Sequence, residues 1–84
     1  MNTVFTEKAW EDYVHWQTED KKTLKRINIL IADIKRNGYE GLGKPEPLKY
    51  DFAGFWSRRI NEVDRLIYKI DEHNMYIIQC RFHY

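Results

Sequence analysis

The sequence predicts an α+β fold in which an N-terminal strand and a helical hairpin pack on one face of an antiparallel sheet. Helical periodicity fills the first part of the chain, up to a segment at 38–47 that holds three of the four glycines and both prolines. After this segment, short runs with strand character alternate with turn-forming connectors. Because 84 residues suffice for only one core, we expect a single domain over residues 1–84.

The first predicted elements are a short strand and a helix. The strand covers residues 3–6, and Thr6 can cap a helix whose first turn contains Glu7. This helix carries one apolar stripe at i, i+3 and i+4: Trp10, Tyr13 and Val14. Trp16 lies off the stripe, either at the edge of the core, which we favour, or in a subunit contact.

A second helix is predicted to begin at Asp20 and to end at Gly38, which supplies the left-handed residue at its end. Its apolar face repeats at helical spacing: Leu24, Ile27, Leu30, Ile31 and Ile34. Lysines occupy mostly the other faces, and nearby acids offset their charge, so we interpret them as a solvated surface. Only a few residues separate the two helices, which must therefore form a hairpin.

Four further strands complete the predicted order β-α-α-β-β-β-β, and this order leaves one face of the sheet free of helices. The predicted strands are residues 48–50, 55–60, 65–70 and 75–82, joined by connectors of hairpin length. The register at the connector 61–64 decides which arginine shares the free face. One register groups Arg58 with Arg65, and a shift of one residue groups Arg59 with Arg65.

Composition excludes several classes of function. The net charge is only +1, which argues against strong autonomous binding to nucleic acid. A single cysteine rules out an internal disulfide, and no signal peptide or membrane span is visible, so we expect a cytoplasmic location. The three histidines lie on different predicted elements, so neither a metal site nor a cofactor is predicted. Cys80 is predicted to be a buried structural thiol.

Polar residues in the second half form a candidate site for RNA chemistry: Glu46 between two prolines, Lys49, Arg58 or Arg59, Arg65, and His83 with Tyr84. Each has a plain alternative, as a solvated loop acid, an edge-strand charge or a frayed chain end. Together they supply a base for the ribose 2′-hydroxyl, cations for a phosphorane and an acid for the leaving 5′-oxygen. Composition alone leaves this as one hypothesis among several.

Two long stretches carry a family resemblance. KPEPLKYDFAGFWSRRINEVDRLIYKI, followed by CRFHY, closely resembles the YoeB (Txe) toxins of the RelE superfamily in bacterial type II toxin–antitoxin systems. The likeness also includes AWEDYVHWQTEDKKTLKRIN. It implies a microbial-ribonuclease-like fold and a ribosome-dependent endonuclease that cleaves mRNA in the A site without a metal, leaving a 2′,3′-cyclic phosphate. The alternatives are a non-catalytic ribosome-binding inhibitor of translation and an inactive remnant that serves only as corepressor.

The resemblance implies roles for the candidate residues. Glu46 resembles the general base and His83 the general acid, while Arg65 resembles the main transition-state cation. Tyr84 resembles the residue that positions the scissile nucleotide. We expect Phe82 to anchor in the fold, so that the last two residues are held at the active face.

The same resemblance selects Arg59 over Arg58 and makes Lys49 and Arg59 further phosphate contacts. Two positions depart from the family pattern, because family members often have His where this chain has Asp64 and Tyr where it has Phe82. We expect Asp64 either to depress the effective charge of the neighbouring arginine or to orient it. Neither departure lies at a proposed catalytic position.

The resemblance also implies partners. They are a YefM- or Axe-like antitoxin, the 70S ribosome with its mRNA, and operator DNA reached only through the antitoxin, with the toxin as corepressor. Homodimers occur in the family, and the sequence does not decide between a homodimer and a monomer. No membrane partner is expected.

Overall fold

The computed structural model describes residues 1–83, in which two helices pack on one face of a five-stranded sheet. The elements are β1 (Asn2–Phe5), α1 (Glu7–Glu19), α2 (Lys21–Asn37), β2 (Glu46–Pro47), a 3₁₀ turn (Tyr50–Phe52), β3 (Trp56–Arg59), β4 (Arg65–Ile70) and β5 (Asn74–Gln79). The strand order is β1-β5-β4-β3-β2. The α+β class and the helical hairpin on one face are therefore confirmed.

The sheet is mixed, because β1 joins it as an edge strand. Val4 of β1 lies opposite Tyr76 of β5 in a parallel pairing, whereas β2, β3, β4 and β5 pair antiparallel. The sequence instead predicts β1 packed with the helices on one face of an antiparallel sheet. A strand followed at once by a helix has no hairpin partner, and pairing with β5 satisfies its backbone groups.

Both helices begin at the predicted caps, and α2 ends at the predicted glycine. The Thr6 hydroxyl accepts a hydrogen bond from Ala9 N at 3.2 Å at the start of α1. Asp20 caps α2, and its bond from the Thr23 hydroxyl, at 2.8 Å, together with the Thr23 amide holds the pKa of Asp20 below its usual value. Gly38 ends α2 with a φ of 67°, as its left-handed role requires.

The buried face of α1 agrees with the predicted stripe only at Tyr13, which is partly buried against the core. Ala9 and Asp12 are buried, whereas Trp10 is 51% exposed and Val14 is 41% exposed. The apolar spacing misled because a buried position is occupied by an aspartate. Trp16 is partly buried against the core, which agrees with the favoured core-edge placement.

The core lies between the helices and the sheet. Its buried members are Ala9, Ile27, Leu30, Ile34, Ile60, Leu66, Tyr68, Met75, Ile77 and Cys80. A fully buried arginine, Arg58, stands beside them and donates to Asp33 Oδ2 at 2.5 Å and, through Nε, to the Tyr68 hydroxyl at 3.0 Å. Burial raises the pKa of Tyr68, and the Arg58 guanidinium lowers that of Asp33.

The same arginine holds the glycine-rich loop. Its Nη atoms donate to the carbonyl oxygens of Gly38, Glu40 and Leu42 at 2.8 to 2.9 Å. All five guanidinium protons of Arg58 can therefore be used within the fold. This set of hydrogen bonds from Arg58 to Asp33 and to the loop carbonyls, here named the latch, fixes the path of the chain as it approaches β2 and Glu46.

Two predicted strands differ from the observed ones by more than one residue at an end. Residues 48–50 do not form a strand, because the backbone turns at Tyr50, which has a φ of 57° and begins the 3₁₀ turn. The strand at this sheet edge is Glu46–Pro47. β5 ends at Gln79, three residues before its predicted end, and the chain then bends.

Candidate active site

The register between β3 and β4 decides which arginine faces away from the helices. Arg59 lies opposite Arg65, and Arg58 lies opposite Leu66 in the core. This is the second of the two registers considered from the sequence. Arg59 and Arg65 therefore project together from the sheet face that the helices leave free, here named the helix-free face.

Glu46 belongs to the same face. It lies opposite Ser57, which lies opposite Ile67, and Ile67 in turn lies opposite Gln79. These four residues form one row across β2, β3, β4 and β5, next to the row that holds the arginines. The exposed Glu46 and the β4 arginine are separated by two strand spacings, about 10 Å between strand axes.

The helix-free face is not bare. Ile67 is fully buried and Ser57 is 3% exposed, so the middle of this face is shielded from solvent. The charged candidates lie around this covered centre. Glu46 and Lys49 are exposed and line one open cavity, formed by residues 46–52, while Arg59 lines a second cavity with Arg26 and Lys44.

Arg65 is a buried cation, with only 8% of its surface exposed. Its Nη1 donates to the carbonyl oxygens of Asn61, at 2.8 Å, and Asp64, at 3.1 Å. Within residues 1–83, none of the ion pairs includes Arg65. The two carbonyl groups therefore fix the orientation of the Arg65 guanidinium, and no acid from that part of the chain forms an ion pair with it.

The C-terminal segment, residues 80–83, is held by side chains instead of a strand ladder. Cys80 N donates to Asp12 Oδ2 at 3.1 Å, and Trp16 Nε1 donates to the Cys80 carbonyl at 2.9 Å. Lys8 pairs with the other oxygen of the Asp12 carboxylate. Two side chains of α1 thus secure both polar groups of the Cys80 peptide.

The next residues are bound to the start of β4. Phe82 N donates to Asp64 Oδ1 at 2.7 Å, and Arg65 N donates to the Phe82 carbonyl at 3.0 Å. Gln79 Nε2 donates to the carbonyls of Arg81, at 2.8 Å, and His83, at 3.1 Å. The exposed His83 is therefore attached through its carbonyl oxygen to Gln79, and it directly follows the residue that is bonded to Arg65 N.

Phe82 is anchored in the fold through its backbone and not through its ring. The ring is 50% exposed and meets two cations, Lys8 at 5.4 Å and Arg81 at 4.4 Å from its centroid. The backbone of Phe82, at a φ of 66°, is the part that is held. Tyr84, the other residue expected at this end, lies outside the described residues.

Asp64 does orient Arg65, as one of the two sequence-based expectations states, but through its backbone carbonyl and not through its side chain. Its carbonyl contacts the Arg65 guanidinium, while its carboxylate bonds Phe82 N and Asn61 Nδ2. The carboxylate is therefore directed at the C-terminal segment. Sequence reasoning overlooked this role and the role of Gln79. For either residue, the only signal in the sequence was a polar side chain next to an apolar strand.

Two further properties of residues 1–83 concern metal ions and membranes. That part of the chain contains no group of three or more His, Cys, Asp or Glu side chains placed to hold a metal ion. Neither helix there combines the length and the apolar character needed to cross a membrane.

Comparisons with known proteins identify the family. The model of the YoeB-like toxin of bacterial type II toxin–antitoxin systems matches residues 5–84. Toxin YoeB of Streptomyces coelicolor is 55% identical over 84 residues, covering 100% of both chains. The YoeB/ParE toxin structure from Agrobacterium tumefaciens superposes with a TM-score of 0.97 at 48% identity, also covering 100% of both chains.

Two structures from Staphylococcus aureus describe assemblies of a related protein. The YoeB dimer matches with a TM-score of 0.94 at 47% identity, and the YoeB–YefM complex with 0.93 at 46% identity. Each match covers 100% of this chain and 98% of the other. With the family model and the full-length relatives in agreement, the chain belongs to the YoeB-like toxins of bacterial type II toxin–antitoxin systems.

Proposed function

We propose that this chain is a ribosome-dependent mRNA endonuclease that cleaves the message in the A site and so halts translation. The observation that carries the proposal is the common face of Glu46, Arg59 and Arg65, with the segment that contains His83 bonded to the start of β4. Family membership supports the same class of activity. A carboxylate, two cations and an imidazole around one surface are the groups that RNA transesterification uses.

The proposed reaction needs two proton transfers and no redox change. Glu46 takes the proton of the ribose 2′-hydroxyl, and the 2′-oxygen attacks the adjacent phosphorus. The bond from phosphorus to the 5′-oxygen breaks, and His83 gives its proton to that oxygen. The products are a 2′,3′-cyclic phosphate and a 5′-hydroxyl, and each acid or base group contributes about a hundredfold to ten-thousandfold.

The cations stabilise the charge on the phosphorane. We assign the main role to Arg65, because a buried, carbonyl-oriented guanidinium requires little reorganisation when charge develops. Lys49 and Arg59 serve as phosphate contacts at the rim. Tyr84 positions the scissile nucleotide, and deletion of Tyr84 alone should therefore slow cleavage, whereas a frayed chain end would tolerate that deletion.

We propose a YefM- or Axe-like antitoxin as the cognate partner, by analogy with the S. aureus complex. The toxin would then reach operator DNA only through the antitoxin, as corepressor. The ribosome and the mRNA place its action in the cytoplasm. Light scattering of the purified chain distinguishes a monomer from a homodimer of the kind solved for the S. aureus protein.

Primer extension on a message translated with purified protein tests the nuclease directly. The wild-type chain should produce discrete cuts within the A-site codon. Glu46→Ala and His83→Gln should each slow single-turnover cleavage at least about a hundredfold while ribosome binding persists. Intact message on stalled ribosomes would instead identify a non-catalytic translation inhibitor. Absence of growth arrest on antitoxin-free expression would identify an inactive remnant.

A further inference from the structure

Asp64 uses both oxygens of a buried carboxylate. The residue is 8% exposed and directly precedes β4. Its Oδ1 accepts from Phe82 N at 2.7 Å, and its Oδ2 accepts from Asn61 Nδ2 at 3.0 Å. Only the first of these bonds leaves the β3–β4 connection, and it reaches the C-terminal segment.

Two hydrogen-bond donors face the Asp64 carboxylate. The Asn61 Oδ1 atom accepts from Val63 N at 2.8 Å and from Asp64 N at 2.7 Å, which fixes the orientation of this side-chain amide. Asn61 Nδ2 therefore faces Asp64 as a donor, and Phe82 N is a second donor. A carboxylate satisfies both donors, an asparagine at position 64 accepts from one only, and an alanine from neither.

The hydrogen bond from Phe82 N to Asp64 stabilises an uncommon backbone conformation of Phe82. A φ of 66° is uncommon for an aromatic residue and persists only when its surroundings hold it. The exposed ring cannot supply that support. The backbone does, because Phe82 N is bound by Asp64 and the Phe82 carbonyl is bound by Arg65 N at 3.0 Å.

We propose that Asp64 is a positioning residue whose carboxylate fixes the left-handed turn at Phe82 and thereby directs His83 toward Arg65. The inference rests on the proposed function, in which His83 is the general acid. The Asp64 carbonyl accepts from Arg65 Nη1 at 3.1 Å, so one residue orients the cation through its backbone and the acid through its side chain. Replacement of the Asp64 side chain should therefore disturb the acid and spare the cation.

The first experiment uses the free protein and requires no activity. Hydrogen exchange at the Phe82 amide and the NMR resonances of the His83 ring are compared in wild type, Asp64→Ala and Asp64→Asn. Loss of a buried hydrogen bond should speed Phe82 exchange about tenfold in Asp64→Ala. Asp64→Asn, which keeps one acceptor, should lie between, and it serves as the test if Asp64→Ala does not fold.

Asp71→Ala is the matched control. The Asp71 carboxylate likewise supports a turn, accepting from His73 N and Asn74 N at 2.9 Å each, but it lies beyond the far end of β4. This variant should leave Phe82 exchange and the His83 resonances unchanged. Folded Asp64 variants in which the same two signals also stay at their wild-type values would overturn the proposal.

The second experiment is a double-mutant cycle of single-turnover cleavage rates. Asp64→Ala should slow cleavage about tenfold or more with unchanged ribosome affinity, because a small misplacement of a catalytic group is costly. In a His83→Gln background, Asp64→Ala should cause no further loss. Two losses that multiply would show that Asp64 acts independently of His83. A wild-type chain without cleavage would refute the nuclease, yet the exchange experiment would still report on the turn.

Discussion

Arg59 and Arg65 lie opposite each other on the neighbouring strands β3 and β4, but their contacts differ. Arg65 is 8% exposed and bound by two carbonyl oxygens, whereas Arg59 is exposed at the end of β3. A guanidinium can bind two carbonyls with one nitrogen and still present its other nitrogens to a phosphate. An ammonium cannot do both from a fixed position, so the two arginines should differ in their tolerance of lysine.

We therefore expect Arg65→Lys to slow single-turnover cleavage about tenfold or more, although the charge is retained. Arg59→Lys should change the rate by less than about threefold, since a rim contact needs charge more than shape. Quenched-flow cleavage of ribosome-bound message measures both rates. Equal tolerance at the two positions would show that the buried setting of Arg65 has no catalytic consequence.

Cys80 illustrates how burial determines reactivity. The thiol is fully buried, its Sγ lies 3.5 Å from the Ala9 carbonyl, and burial raises its pKa to about 12. At pH 8 the native protein should thus resist alkylation by iodoacetamide, while urea-unfolded protein should react completely. Mass spectrometry of the alkylated chain reads the result. Rapid labelling of the native state would mean that the C-terminal segment opens readily.

At the scale of elements, much of the fold could be predicted from local chemistry. Thr6, Asp20 and Gly38 mark the helix ends, and α2 has the apolar repeat expected of a core helix. The strand register could not be predicted, because a shift of one residue exchanges Arg58 with Arg59 and depends on the conformation of the Asn61 turn. The buried Asp12 concealed the core face of α1 for a related reason, since one of its two partners, Cys80 N, is 68 residues away.

The latch between α2, the glycine-rich loop and β3 should make stability depend on pH. The Arg58 guanidinium holds the pKa of Asp33 below its usual 3.8, so this carboxylate stabilises the fold fully above that value. As pH falls from 3.8 toward the lower folded-state pKa, the unfolded chain binds the proton first and stability decreases.

Asp33→Asn and Arg58→Met should each reduce this acid dependence, measured by urea unfolding between about pH 2 and pH 5. An unchanged dependence in both variants would contradict the latch.

On the scale of the whole molecule, a nearly neutral chain must recognise a highly charged substrate. The net charge is +1, so long-range attraction to RNA is weak and binding relies on a few placed cations. Those cations lie at the rim of the helix-free face, where Lys49 and Arg59 are exposed. In the proposed function, the ribosome already presents the message in a confined site, and this compensates for the weak long-range electrostatic attraction.

This arrangement predicts a small and local salt dependence. Each phosphate contact on single-stranded RNA contributes a slope of about 0.7 to the fall of log affinity with log salt. The Lys49→Gln/Arg59→Gln double variant should therefore lower the slope of binding to message-loaded ribosomes by about 1.4, twice that contribution. Lys35→Gln, which removes an exposed charge from the last turn of α2, is the control and should leave the slope unchanged. An equal reduction in the control would mean that a diffuse charge field, instead of two rim contacts, brings the chain to RNA.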